Sequence, residues 1–135
     1  MSMLSIIVPA YNEEKIINKT ADVISGLMVN AGIEYELLFI NDGSKDNTWL
    51  EIMGKANSNK NIKGICFSRN FGKEAAIFAG LDNCIGDCAV VIDCDLQHPP
   101  EKILEMYKLW EEGYEVVKPS KALPIILCTI DCIPN

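Results

Sequence analysis

Basic charge, histidine and long apolar runs are all scarce in this sequence, and each scarcity closes off a class of function. The 12 lysines and arginines stand against 19 aspartates and glutamates, a formal net charge of -7. No basic stripe exists to displace counterions from a phosphate backbone, so nucleic acid is not an expected partner. There is one histidine, and the six cysteines form no CxxC pair. Reduced, buried thiols are therefore expected rather than a zinc site or a disulfide framework. The first apolar run, Leu4 to Val8, has no basic flank and meets acidic residues soon after, unlike a secretory signal. No window approaches the roughly 18 consecutive apolar residues of a spanning helix, so no transmembrane segment is expected and the location reads as cytoplasmic.

What is present is enough for one compact domain with a real core: 135 residues, 49% of them hydrophobic. Short β-like runs alternate with amphipathic helical ones. The β-like runs are Leu4 to Val8, Tyr35 to Ile40, Ile62 to Phe67, Cys88 to Ile92 and Tyr114 to Val117. Between them Ile16/Ile17, Ile24, Leu27/Met28 and Ala31 recur at helical spacing, as do Ile103, Met106/Tyr107 and Trp110. Asn12-Glu13-Glu14 reads as the start of the first helix, Asp46 as a cap for the second, and Pro99-Pro100-Glu101 as the opening of the fourth. A third helix, roughly Lys73 to Cys84, is rich in small residues, as suits close packing on a sheet. Repeated βα units with near-continuous apolar strands predict an α/β fold, a mainly parallel sheet with helices on both faces. In such sheets ligands bind at the carboxyl ends of the strands.

Polar residues stand at four consecutive strand ends: Pro9-Ala10-Tyr11-Asn12-Glu13, Asn41-Asp42-Gly43-Ser44, Ser68-Arg69-Asn70-Phe71-Gly72-Lys73 and Asp93-Cys94-Asp95-Leu96-Gln97. Alternation along an extended chain would aim Asp93 and Asp95 into one small volume, where a cation, a proton or solvent must relieve their repulsion. With Gln97 they offer hard oxygen donors, which suit Mg²⁺ or Mn²⁺ better than zinc. The plainer reading is a strand end followed by a turn. Gly43, Ser44 and Asp46 are explained by turn and cap chemistry. Asp42 is not needed for the turn, and it offers an acceptor for a uracil imide N–H or ribose hydroxyls. Tyr11 has a flat face for a base beside Pro9; Arg69 and Lys73 are candidates to meet phosphate, or else solvated surface charges. His98, next to the paired carboxylates, reads as a neighbour of a metal or as solvent-facing rather than as a ligand.

Taken together these motifs resemble the family 2 glycosyltransferases, whose nucleotide-sugar-binding domain is the α/β fold called GT-A. The likeness is to the polyprenyl-phosphate sugar transferases, the dolichol-phosphate mannosyltransferase and bactoprenol glucosyltransferase group. It is carried by IIVPAYNEE (Ile6 to Glu14), FINDGSKDNT (Phe39 to Thr48), FSRNFGKEAAIFAGLD (Phe67 to Asp82), VVIDCDLQHPPEKI (Val90 to Ile103) and WEEGYEVV (Trp110 to Val117). The resemblance implies that Pro9, Tyr11 and Glu13 border the nucleotide and that Asp42 contacts the base. It implies that Asp95 and Gln97 hold Mg²⁺ or Mn²⁺ on the diphosphate, with Asp93 near the ribose or the metal. It also implies transfer of a hexose, with inversion, from a nucleotide sugar (UDP-hexose favoured) to an acceptor such as polyprenyl phosphate. Asn41 replaces the usual first acid of the family's DDGS, and Cys94 replaces the usual alanine of its DxD.

Residues 1–117 read as the nucleotide-sugar-binding part of a GT-A domain. Residues 118–135 read as a divergent, irregular tail, too short to span a bilayer and unlike the family's second half. The resemblance therefore implies a donor-side half site without its acceptor side, and an exposed sheet edge prone to self-association. Two rival readings stand beside it: an inactive nucleotide-binding remnant, and a phosphatase of the haloacid dehalogenase type with Asp93 as nucleophile.

Overall fold

The structure, a computed structural model, describes residues 2–97, 99–113, 116–117 and 126–129, the last two segments by their backbone alone. Four parallel strands come first: β1 (Met3–Ala10), β2 (Glu34–Asn41), β3 (Ile62–Cys66) and β4 (Cys88–Val91). They alternate with α1 (Ile17–Ala31), α2 (Thr48–Ser58), α3 (Lys73–Asn83) and α4 (Lys102–Glu111). Two short strands follow, β5 (Val116–Val117) and β6 (Ile126–Thr129), and the sheet order is β3-β2-β1-β4-β6-β5. The chain winds outward from β1 to β3, then crosses back to place β4 on the other side of β1. That reversal opens a crevice at the carboxyl ends of β1 and β4, the usual ligand position in such sheets.

The strands are apolar because both faces are covered. On one face Leu4, Ile6 and Val8 of β1 and Leu37 and Phe39 of β2 pack with Ile17, Ile24 and Met28 of α1, Ile52 of α2 and Ile103 and Met106 of α4. On the other, Ile7, Leu38, Ile40, Ala89 and Val91 meet Ala76 of α3. The small residues of α3 serve the close approach that their composition predicts. A Cβ on Gly80 would lie 2.5 Å from Ile7 Cγ2 and 3.0 Å from Ile40 Cδ1. On β2 a buried carboxylate has its acceptors satisfied. Glu36 accepts hydrogen bonds from Ser5 Oγ (2.6 Å), Ile85 N–H (2.6 Å) and Lys63 Nζ (3.0 Å).

Three expectations need correction. The first helix begins at Ile17, five residues beyond Asn12, because Asn12 sits at a positive φ of 54° and bonds to another loop instead of capping a helix. The tail is not irregular throughout. Ile126–Thr129 forms β6, antiparallel to β4, with Ala89 opposite Cys128. Consequently the edge of β4 is covered, and the outer strand on that side is β5, which pairs with β6 and runs in the direction of β1 to β4. Such pairing depends on a partner some 40 residues away and leaves no local periodicity to read. Asp46 does act near the start of α2, accepting from Thr48 N–H at 2.9 Å and from the Thr48 hydroxyl. α4 starts after Pro99-Pro100, with Lys102 N–H donating to Pro99 O.

Candidate functional site

The loops after β1 and β2 are laced to each other. Asn12 N–H donates to Ser44 Oγ (2.9 Å), Glu13 N–H to Thr48 Oγ1 (2.8 Å) and Glu14 N–H to Asp46 Oδ2 (3.3 Å). In return Lys45 N–H donates to Asn12 Oδ1 (2.9 Å) and Asn47 N–H to Glu14 Oε2 (3.1 Å). Residues that look like independent caps in the sequence are thus partners across more than 30 positions. Neither loop is regular structure, so these bonds supply what a helix or ladder would otherwise supply to the backbone.

A second clamp joins β2 to the loop after β3. Asp42 is buried, at 4% exposure, and its carboxylate accepts from Phe71 N–H (2.8 Å), Gly72 N–H (3.1 Å to Oδ2) and Asn70 Nδ2 (3.2 Å). Gly43 makes the approach possible. It holds φ +66°, and a Cβ there would overlap the backbone of Arg69 and Asn70. Glycine at this position answers both to the left-handed conformation and to the contact.

The paired carboxylates follow β4 in a turn anchored from below. Thr20 Oγ1 on α1 donates to the Cys94 carbonyl at 2.6 Å, and Leu96 N–H to the Asp93 carbonyl at 3.2 Å. Leu96 holds φ +53°, a backbone conformation uncommon for a leucine, while its side chain packs on the core. The Cys94 side chain belongs to that core as well, and burial, with lesser repulsion from Glu13, pushes its thiol up to about 12. Gln97 N–H donates to Asp95 Oδ1 at 3.3 Å.

These loops enclose a cleft of about 310 Å³ lined by Pro9, Ala10, Tyr11, Glu13, Asp42, Lys73, Asp93, Cys94, Asp95 and Gln97. Eight of the nine site residues expected from sequence line it; the exception is Arg69, whose guanidinium lies 4.1 Å over the Phe71 ring. His98 lies outside the described residues. Tyr11 presents a largely open ring at 42% exposure. Lys73 Nζ is 2.7 Å from Asp93 Oδ1 and is the basic group among the lining side chains. The floor is otherwise acidic. Burial, then the charges of Asp95 and Asp46, hold the Glu13 carboxyl above the ordinary carboxylate value. Such a site favours a cation. Among the described residues no three His, Cys, Asp or Glu side chains cluster to cage an ion unaided. Two carboxylates and an amide oxygen fit a hard divalent ion that keeps waters and takes its remaining oxygens from a phosphate ligand.

A mainly parallel sheet with helices on both faces, a switch-point crevice and acidic oxygen donors after β4 define a Rossmann-like α/β fold. The family model for glycosyl transferase family 2 matches residues 5–123, and the chain belongs to that family. It is 52% identical over 114 residues to an uncharacterized glycosyltransferase of Bacillus subtilis, YkcC, covering 84% of this chain and 35% of that protein. It is 41% identical over 114 residues to the bactoprenol glucosyl transferase of Shigella phage SfV, covering 84% of this chain and 37% of that protein. The chain thus spans about a third of the length of these relatives. A Pyrobaculum calidifontis mannosyltransferase, solved with GDP-mannose and Mn²⁺, superposes with a TM-score of 0.74 over 93% of this chain and 44% of that one, at 17% identity. Glucosyl-3-phosphoglycerate synthase of Mycobacterium tuberculosis, solved with Mn²⁺, UDP and phosphoglyceric acid, gives 0.69 over 87% of this chain and 42% of that one, at 27% identity. The paired acids follow the fourth strand rather than the first, and with the family shown the haloacid dehalogenase reading falls. Among the described residues no helix is long and apolar enough to cross a membrane.

Proposed function

We propose that the cleft is the donor site of a metal-dependent, inverting hexosyltransferase that takes a nucleotide sugar, UDP-hexose foremost, and serves an acceptor such as polyprenyl phosphate. The observation that carries this reading is the convergence of Tyr11, Lys73, Asp93, Asp95 and Gln97, from the ends of three different strands, on one 310 Å³ cleft. Tyr11 and Pro9 form an apolar border against which a base can stack, and Glu13 stands beside them. Asp95 and Gln97 would hold Mg²⁺ or Mn²⁺, with Asp93 adjoining. When bound, that ion supplies positive charge against the departing nucleoside diphosphate. Lys73, paired with Asp93, brings a second positive charge to the same phosphates. An acceptor that is already a phosphate anion needs little help from a general base, so the chain's own part is to bind, orient and neutralise.

Residues 1–117 are proposed as the donor-binding part. Titration of the protein with UDP and Mn²⁺, with Asp95→Ala as control, tests the reading. Metal-dependent UDP binding that Asp95→Ala abolishes is the expected result. Absence of binding by the unmodified protein would sink it, and binding without sugar transfer to a polyprenyl phosphate would favour a nucleotide-binding remnant.

A further inference from the structure

Lys73 is the first residue of α3, and its ammonium meets Asp93 Oδ1 at 2.7 Å. Both partners face the cleft, the lysine side chain 54% exposed and the aspartate 23%. A pair so accessible to water shifts an equilibrium by about fivefold at most, so it is easily exchanged for a better partner. The backbone beneath it is fixed. Asp42 holds Phe71 and Gly72 by their N–H groups, immediately before Lys73. Any exchange is therefore a rotation of the lysine side chain about a fixed origin, not a movement of the loop.

A divalent ion approaching Asp93 Oδ1 contends with that ammonium for the same oxygen. The protein gives such an ion few other anchors, since among the described residues no three His, Cys, Asp or Glu side chains form a cluster able to hold one. A diphosphate alters both sides of the contest. Its oxygens add ligands for the ion, and its charge offers Nζ an alternative to Asp93.

We propose that Lys73 is a handover residue, pairing with Asp93 until a nucleoside diphosphate binds and then moving its ammonium to the phosphate, so that ion and nucleotide each favour the other's binding. The proposal rests on the donor-site reading above. Either ligand alone must break the Lys73–Asp93 pair, whereas the two together break it once. That shared step is a coupling free energy, and it is reciprocal.

The test measures Mn²⁺ alone by the electron paramagnetic resonance of the unbound ion, UDP alone by calorimetry, and each in the presence of the other. It compares the unmodified protein with Lys73→Met, and with Lys73→Gln as a second neutral variant. Both variants are expected to bind Mn²⁺ alone about two- to fivefold more tightly and UDP alone more weakly, with the mutual enhancement reduced by a similar factor. Loss of a static positive charge would also tighten Mn²⁺ and weaken UDP, but would leave their mutual enhancement unchanged. If the variants bind Mn²⁺ alone no better, or keep the mutual enhancement unchanged, while the unmodified protein binds UDP with Mn²⁺, the handover is overturned and the donor site survives. If the unmodified protein binds neither, both fall together.

Discussion

Replacing Asp42 by asparagine separates two roles that a strand-end carboxylate can play. Its Oδ1 accepts from Phe71 N–H at 2.8 Å and from Gly72 N–H at 3.3 Å, while Oδ2 accepts from Gly72 N–H at 3.1 Å and Asn70 Nδ2 at 3.2 Å. Asparagine keeps the shape but can place an acceptor on one side only. Its amide nitrogen must then face either the Phe71 and Gly72 donors or the Asn70 amide. Turning the Asn70 amide over does not rescue the arrangement, because Asn70 Nδ2 also donates to the Asp42 main-chain carbonyl at 3.2 Å. The cost is one hydrogen bond to a charged group plus the weakening of another, about 2 kcal/mol.

Urea denaturation of Asp42→Asn at neutral pH should show that loss as a lower midpoint with an unchanged slope. In a thermal melt it corresponds to a fall of roughly 5–10 °C for a domain of this size. Asp42→Ala, which removes every acceptor, should lose more, about 3 kcal/mol. A shift under about 0.5 kcal/mol for Asp42→Asn, the range of ordinary surface substitutions, would refute the clamp. If that small shift came with weakened UDP binding, Asp42 would be a base contact, as the family resemblance implies.

Burial raises the Glu36 carboxyl, but hydrogen bonds from Ser5, Ile85 N–H and Lys63 outweigh it and leave the group below its ordinary value of 4.5. A depressed folded value means stability present above pH 4.5 and lost as pH falls through the lower folded value. Glu36→Gln should therefore be less stable at neutral pH and lose less between neutral and acid pH, as followed by urea midpoints across that range. Thr20→Val should cost about 1–3 kcal/mol by leaving the Cys94 carbonyl without its donor, and should weaken Mn²⁺-dependent UDP binding as the turn loosens; unchanged stability would count against the anchor. In native protein at pH 8, iodoacetamide should alkylate the exposed Cys66 and leave Cys94 unmodified until denaturant is added, as read by peptide mass spectrometry. Early labelling of Cys94 would contradict the placement of its side chain in the core.

Much of the fold was legible because its signals are local. Near-continuous apolar runs mark β1 to β4, and the requirement that ligands meet a parallel sheet at its carboxyl edge pointed to the four loops that do converge. The paired acids were legible for the same reason: alternation and a strand end are both properties of a few neighbouring residues. The lacing of Asn12, Glu14, Ser44 and Asp46 was not, since each donor finds its acceptor in a different loop. Read locally, an asparagine before two glutamates imitates a helix start, and α1 was placed five residues early. Arg69 shows the same limit of local reading. Its position after β3 matches that of Lys73, but its guanidinium stacks on Phe71.

The lacing also sharpens what the polar motifs are for. Asn12, Ser44, Asp46 and Asp42 have their side-chain oxygens engaged by backbone N–H groups of neighbouring loops, so any ligand drawing on them must first break a bond the fold relies on. The Tyr11 ring and the Lys73, Asp93, Asp95 and Gln97 side chains line the cleft directly, with Asp93 paired to Lys73 and Asp95 accepting from Gln97 N–H within its own turn. In this arrangement one set of polar residues fixes three loops against one another, and a second set, carried on the loops after β1, β3 and β4, lines the cleft. A substitution in the first set should lower stability and ligand binding together, whereas one in the second should lower binding while the fold holds. That division places the sensitivity of the site in Asp95, Gln97 and Lys73, and the sensitivity of the domain in Asp42 and its neighbours.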